Sequence, residues 1–193
     1  MASRASTERK LLDAADQLLF RRGVTATPVD EVLALAGVSP ATLYRAFGSK
    51  DGLLVAALER RLDAWLATWD AAVAAAADDE ARLLAVFDAL ETFRARPDGA
   101  RWCAFLGSAA EHADPPAPLA AALARDTDEL RTRLRALAVP VVGETGADGL
   151  AESLLLVVSG DLAMRLRDGH VTTSAARDVA RAVVASARQK TRP

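Results

Sequence analysis

Isoleucine and asparagine are absent from the 193 residues, tyrosine occurs once, and aromatics make up only 5%. Strands favour β-branched and aromatic side chains, so their scarcity argues against an all-β fold. One cysteine, Cys103, has no partner for an internal disulfide; a lone thiol suits a reducing compartment, and a cytoplasmic location is expected. Only two histidines exist, His112 and His170, with no HExxH and no CxxC, so neither a metal site nor another cofactor is expected. No run of about 18 apolar residues is present, so no membrane span is expected. The N-terminal residues hold Arg4, Arg9 and Lys10 but no apolar stretch before a small-residue cleavage site, so no signal peptide is expected.

Alanine fills the space that those residues leave, with 44 of 193 positions. It is the strongest helix former, and the expected fold class is all-α. The net charge of −2 is uninformative, but its distribution is not. Residues 1–50 hold 7 Lys/Arg against 5 Asp/Glu, a balance of +2, and residues 51–193 hold 17 against 21, a balance of −4. Apolar spacing of three and four predicts nine helices. The first covers about 7–22, with Ser6 as cap and Gly23 as stop, and the second runs from a Thr27-Pro28 start to Gly37. The third runs from Ser39-Pro40 to Phe47 and the fourth from Ser49 to about Ala77. The fifth and sixth are expected at about 80–96 and 100–113, and the seventh at about 119–139. A glycine loop with Gly143, Gly146 and Gly149 follows, then helices at about 147–167 and 174–188.

The informative segment is PVDEVLALAGVSPATLYRAF, residues 28–47. Two short helices meet at Ala36-Gly37-Val38-Ser39, and a helix-turn-helix needs such a short, glycine-containing turn. Val32, Ala36, Val38, Leu43 and Phe47 are spaced to pack inward, which leaves Ala41, Thr42, Tyr44 and Arg45 on the outer face. A helix with that face fits a DNA major groove. A tight helical corner with no DNA role has the same spacing, so the wider string decides. Residues 9–54, RKLLDAADQLLFRRGVTATPVDEVLALAGVSPATLYRAFGSKDGLL, closely resemble the N-terminal DNA-binding domain of the TetR/AcrR family of transcriptional regulators.

The resemblance implies an N-terminal three-helix helix-turn-helix domain at 1–50 and a helical ligand-binding and dimerisation domain at 51–193. It implies a homodimer on palindromic double-stranded DNA, most simply a repressor, released when a small-molecule inducer binds. Carried over residue by residue, the DNA-contacting positions are Thr27, Ser39, Ala41, Thr42, Tyr44, Arg45 and Lys50. Ala46 stands where the family often has a phosphate-contacting histidine, and Leu33 where it usually has a small residue.

The eighth helix is apolar nearly all round, and the ninth carries a valine stripe; an isologous bundle of two such pairs is the family's dimer. Leu154, Val158, Leu162, Val179 and Val183 are the expected interface. The expected inducer-lining residues are Trp65, Trp69, Trp102, Phe105 and His112, since helical pockets are mostly apolar with a few polar groups. Any one of them is equally at home in an ordinary core. An enzyme is not expected. Gly143-Glu144-Thr145-Gly146 lacks the GK[ST] ending of a phosphate loop, and no serine sits on a GxSxG elbow. A second reading stays open on residues alone: a helical dimer with a degenerate DNA-binding head, acting as a small-molecule-binding or interaction module.

Overall fold

The computed structural model describes residues 2–96, 103–169 and 172–190, and among them the chain is helical with no strand. The helices are α1 (Ala2–Arg22), α2 (Val29–Ala36), α3 (Pro40–Phe47), α4 (Lys50–Ala75), α5 (Asp79–Arg94), α6 (Ala104–Glu111), α7 (Ala117–Val142), α8 (Glu144–Arg167) and α9 (Ser174–Lys190). All-α architecture and the order of elements agree with the sequence reading. Most boundaries fall within a few residues of those expected. Two starts do not. α1 begins before Ser6, which is therefore an exposed helical residue and no cap. α8 begins at Glu144, because only Gly143 takes a positive φ (76°), and Ala147, Leu150 and Ala151 already face the core.

The chain divides into two compact units: residues 1–63 with 100–125, and residues 64–99 with 126–193. The first holds the whole expected DNA-binding head, the start of α4 and all of α6. Its core is made by Leu11, Ala15, Leu19 and Phe20 of α1, Val32, Leu33 and Ala36 of α2, Leu43 of α3, and Leu53, Leu54 and Leu58 of α4, all buried. Charge ties α1 to α4. Arg60 pairs with Asp13 at 2.7 Å and with Asp16, while the buried Arg61 guanidinium lies 5.4 Å from the Phe20 ring centre.

The second unit is built on α5, α8, α9 and the later parts of α4 and α7. Trp69, Leu83, Phe87, Leu134, Leu150, Leu154, Val158 and Val184 form its core. Asp78 caps α5 by accepting the Ala81 N–H at 2.8 Å, the usual role of an N-cap aspartate. α9 is fixed to α5 by Arg177 on Asp88 and by the Thr173 N–H on the Glu91 carboxylate at 3.0 Å. Asp161 and Arg165, both buried in α8, pair at 2.7 Å. No described helix is long and apolar enough to cross a membrane.

Candidate nucleic-acid interface

The reversal between α2 and α3 rests on one glycine. Gly37 sits at φ 66°, ψ 40°, a left-handed conformation that a Cβ disfavours. Its N–H donates to Ala34 O at 3.3 Å, and the Val38 N–H donates to Leu33 O at 3.2 Å. These bonds close α2. α3 then opens on Ser39 as N-cap with Pro40 at the first helical position, where the missing N–H costs nothing. The Ser39 and Thr42 hydroxyls lie 2.9 Å apart. Leu43 is fully buried, so α3 presents its opposite side outward. Ala41, Tyr44 and Arg45 are exposed there and Thr42 is half-buried, as the spacing predicted. Tyr44 is 52% exposed, a large value for a bulky aromatic. The Arg45 guanidinium has no ion-pair partner among the described residues.

Thr27 and Lys50 make contacts within the protein that the sequence reading did not foresee. Thr27 is fully buried, and its hydroxyl donates to Gly23 O at 2.7 Å. Its side chain closes the turn after α1, and Pro28, not Thr27, is the N-cap of α2. Lys50 is half-buried, and its ammonium donates to Val24 O and to Thr27 O, each at 2.6 Å. Two of its three donors are taken up by these backbone carbonyls. It is therefore a staple between α4 and the α1–α2 turn, not a free surface cation.

Two residues that sequence reasoning missed hold the same machinery. Glu111, at the end of α6, accepts the Val24 N–H at 3.0 Å and the Thr25 N–H at 2.6 Å. Burial alone would push its carboxyl up, but the Thr25 and Val24 amides outweigh that and hold it below its usual range. Gly52 sits in the first turn of α4, where its N–H donates to Ser49 Oγ at 2.9 Å. A Cβ on Gly52 would lie 2.0 Å from Phe47 O, so α3 and α4 meet at a distance only glycine permits.

The other expected sites divide. Trp65 and Trp69 lie in the second unit, with ring centres 5.7 Å apart, and Phe93 meets Trp65 edge-on at 5.7 Å. Among the described residues the buried Trp69 Nε1 has no hydrogen-bond partner. Phe105 and His112 belong to the first unit, where Phe105 is buried and His112 Nδ1 lies 2.8 Å from Ser108 O at the end of α6. Trp102 lies outside the described residues. On α8, Leu154 and Val158 are buried within their own unit. A helix apolar all round carries no sign in its sequence of which face its own core takes. Leu162 and Val183 are half-buried, and Val179 is 53% exposed. The outward apolar residues of α8 include Leu156, 72% exposed, and Met164. Gly149 and Gly160 face open space. Among the described residues no three His, Cys, Asp or Glu side chains come together in a way that could hold a metal ion.

Comparison with known proteins fits this geometry. Residues 11–57 match the family of bacterial regulatory proteins described as the tetR family. The chain is 33% identical over 147 residues to the HTH-type transcriptional regulator BetI of Rhizobium meliloti, covering 74% of this chain and 71% of that protein. It is 36% identical over 84 residues to the HTH-type transcriptional activator FasR of Mycolicibacterium smegmatis, where the match spans only 38% of the relative's length. A match to a further regulator, YvkB of Bacillus subtilis, is 44% identical over 54 residues and spans 29% of that protein. The crystal structure of a TetR regulator from Streptomyces avermitilis superposes with a TM-score of 0.79 at 28% identity, covering 94% of this chain and 97% of that one. One from Streptomyces coelicolor shares the fold with a TM-score of 0.80 at 24% identity, covering 97% and 96%.

Proposed function

We propose, from the premise that this chain belongs to the tetR family of bacterial regulatory proteins, that it is a ligand-responsive repressor binding a palindromic operator as a homodimer. The observation that carries the reading is the outward face of α3: an exposed Tyr44 and an exposed Arg45 on a helix whose other side is locked by Leu43. A rigid helix of eight residues with a phenol, a guanidinium and a small Ala41 at its start suits a major groove. Thr42 and Ser39 stand ready for phosphate or base acceptors. Two copies must place their α3 helices about 34–36 Å apart to read successive half-sites. A ligand that prefers another spacing weakens DNA binding by its differential affinity. The buried Trp69 indole N–H with no acceptor, beside Trp65 and Phe93, supports an apolar ligand with an acceptor atom as the inducer class.

The test is direct. Selection from a random duplex pool should return a palindrome, and affinity for it should fall with salt by about 0.9 log units per log unit for each phosphate neutralised. Tyr44→Ala and Arg45→Ala should each weaken that binding about 10- to 100-fold with unchanged thermal unfolding. Full affinity in both variants would sink the assignment of α3 as the reading helix, and leave the degenerate-head reading.

The dimer is proposed to form through the outward side of α8 and α9, where Leu156, Met164 and Val179 expose apolar surface and Gly160 permits close approach. The double variant Leu156→Glu/Val179→Glu should run as a monomer in size-exclusion chromatography. Its operator affinity should drop by about two orders of magnitude or more, because each half-site then binds alone. A variant that stays dimeric would place the interface elsewhere.

A further inference from the structure

The turn joining α1 to α2 is gripped from two sides by residues outside the 1–50 segment or at its edge. On its amide side, Glu111 takes the N–H groups of Val24 and Thr25 with its two separate carboxylate oxygens. On its carbonyl side, Lys50 donates to Val24 and Thr27. Four backbone groups of Val24, Thr25 and Thr27 are thus held by one anion and one cation. The fit is close. Gly23, buried and at φ 99°, would bring a Cβ within 3.0 Å of Glu111 Oε1. The turn backbone and the carboxylate approach each other too tightly for a side chain at that position. Beyond the turn the chain passes directly into Pro28 and α2, and α2 is packed on α1 and α3. The placement of Val24 and Thr25 therefore fixes where α2 begins and, through the shared core of Val32, Ala36 and Leu43, how α3 is aimed.

Glu111 contributes nothing to the outer face of α3 and comes from a helix 60 residues beyond it. Its place at the last position of α6 is the informative fact. A carboxylate bound to two amides is a directional link: a rotation or shift of the α6 end pulls on the turn, while a purely apolar contact would slip. We propose that Glu111 is a positioning residue for DNA binding, holding the α1–α2 turn so that the setting of α6 determines the setting of the helix-turn-helix. This rests on the DNA-binding reading above. It adds a residue that reads no DNA yet decides whether α3 is aimed to do so.

The experiment uses the full chain and the duplex that the wild-type protein selects from a random pool. Glu111→Gln keeps the shape of the side chain but removes the charge and leaves a single acceptor oxygen for two donors. Three quantities are read: thermal unfolding, amide hydrogen exchange at Val24 and Thr25, and affinity for the selected duplex across a salt series. The expected result is faster exchange at both amides and about a tenfold loss of affinity, with the fraction of binding-competent protein and the salt slope unchanged. An intact slope means the phosphate contacts survive and only their aim has worsened. Glu111→Asp keeps the charge but falls one methylene short; it should recover part of the affinity, and it serves the same test if the glutamine variant does not fold. Released amides with wild-type affinity would overturn the proposal, since the turn would then be free without consequence. Unchanged exchange would overturn it too. A wild-type protein that selects no duplex would remove the DNA-binding reading itself, an outcome distinct from either.

Discussion

Gly52→Ala is expected to cost the protein its DNA binding and about 3 kcal/mol of stability in the first unit, at the upper end of what overpacking usually costs. An added Cβ would sit 2.0 Å from Phe47 O and 3.1 Å from Phe47 C. Both are backbone atoms, so no rotamer change relieves the clash. Restoring even a 3.0 Å separation requires the end of α3 and the start of α4 to part by about 1 Å. Neither end is free to yield. Gly48 already turns at φ 75° with its N–H on Tyr44 O at 2.9 Å, and Leu53 and Leu54, the next residues of α4, are fully buried. The strain therefore passes into α3, whose orientation must be kept to a fraction of an ångström for base contacts. Gly149→Ala supplies the contrast. That glycine is helical, and nothing lies within 4 Å of its missing Cβ. It should be neutral or stabilising by up to about 1 kcal/mol. Urea unfolding of both variants, with binding to the selected duplex, separates a clash from a propensity effect. A Gly52→Ala protein with wild-type stability and affinity would show that the α3–α4 junction is softer than its geometry.

The difference between those two glycines marks how far the sequence could be read. The helix-turn-helix was legible because its determinants are local. Gly37 for the reversal, Ser39-Pro40 for the start of α3, and the spacing of Val32, Ala36 and Leu43 are all contained in one short string, although the Ser39 hydroxyl pairs with Thr42 Oγ1 and caps no backbone amide. The contacts of Thr27 and Lys50 within the protein were not legible, because the same hydroxyl and ammonium serve a phosphate or a carbonyl equally well. Which one they meet depends on where the α1–α2 turn lies in space. Glu111 was invisible: its partners are 86 and 87 residues away and are backbone amides, which leave no signature in residue identity. On α8, apolar residues on every face hid the division between core and surface, and Leu154 and Val158 fell on the inside. Periodicity finds helices and local glycine and proline chemistry finds turns; pairing of a distant side chain with backbone lies beyond both.

Asp126→Asn is expected to stabilise the protein at neutral and alkaline pH. Asp126 lies on α7 with its carboxyl largely buried, and that burial pushes its pKa up to about 6 from 3.8. No neighbouring cation offsets the cost. The sign follows from proton linkage. The folded protein binds this proton more tightly than the unfolded chain, so the stability is fully present below pH 3.8 and is lost as pH rises through about 6. Above that range the folded state carries an ionised carboxylate in a poorly solvated place. The difference of 6 − 3.8, about 2 units, corresponds to about 3 kcal/mol at most, and water reaching the exposed edge of the side chain brings the expected figure to about 1–3 kcal/mol. Asparagine has the same shape and no charge to bury, so the variant should unfold at higher urea than the wild type at pH 8 and at equal urea near pH 4. The convergence of the two curves at low pH, not the gain at one pH, identifies the titration as the cause. A constant offset at both pH values would instead assign the effect to packing or hydrogen bonding. A loss at pH 8 would mean that the carboxylate has an attractive partner in solution. The neighbouring turns of α7 bury Leu119 and Ala122, with leucine following at 130 and 134, so the expected gain of the asparagine variant is set by the apolar company its side chain keeps.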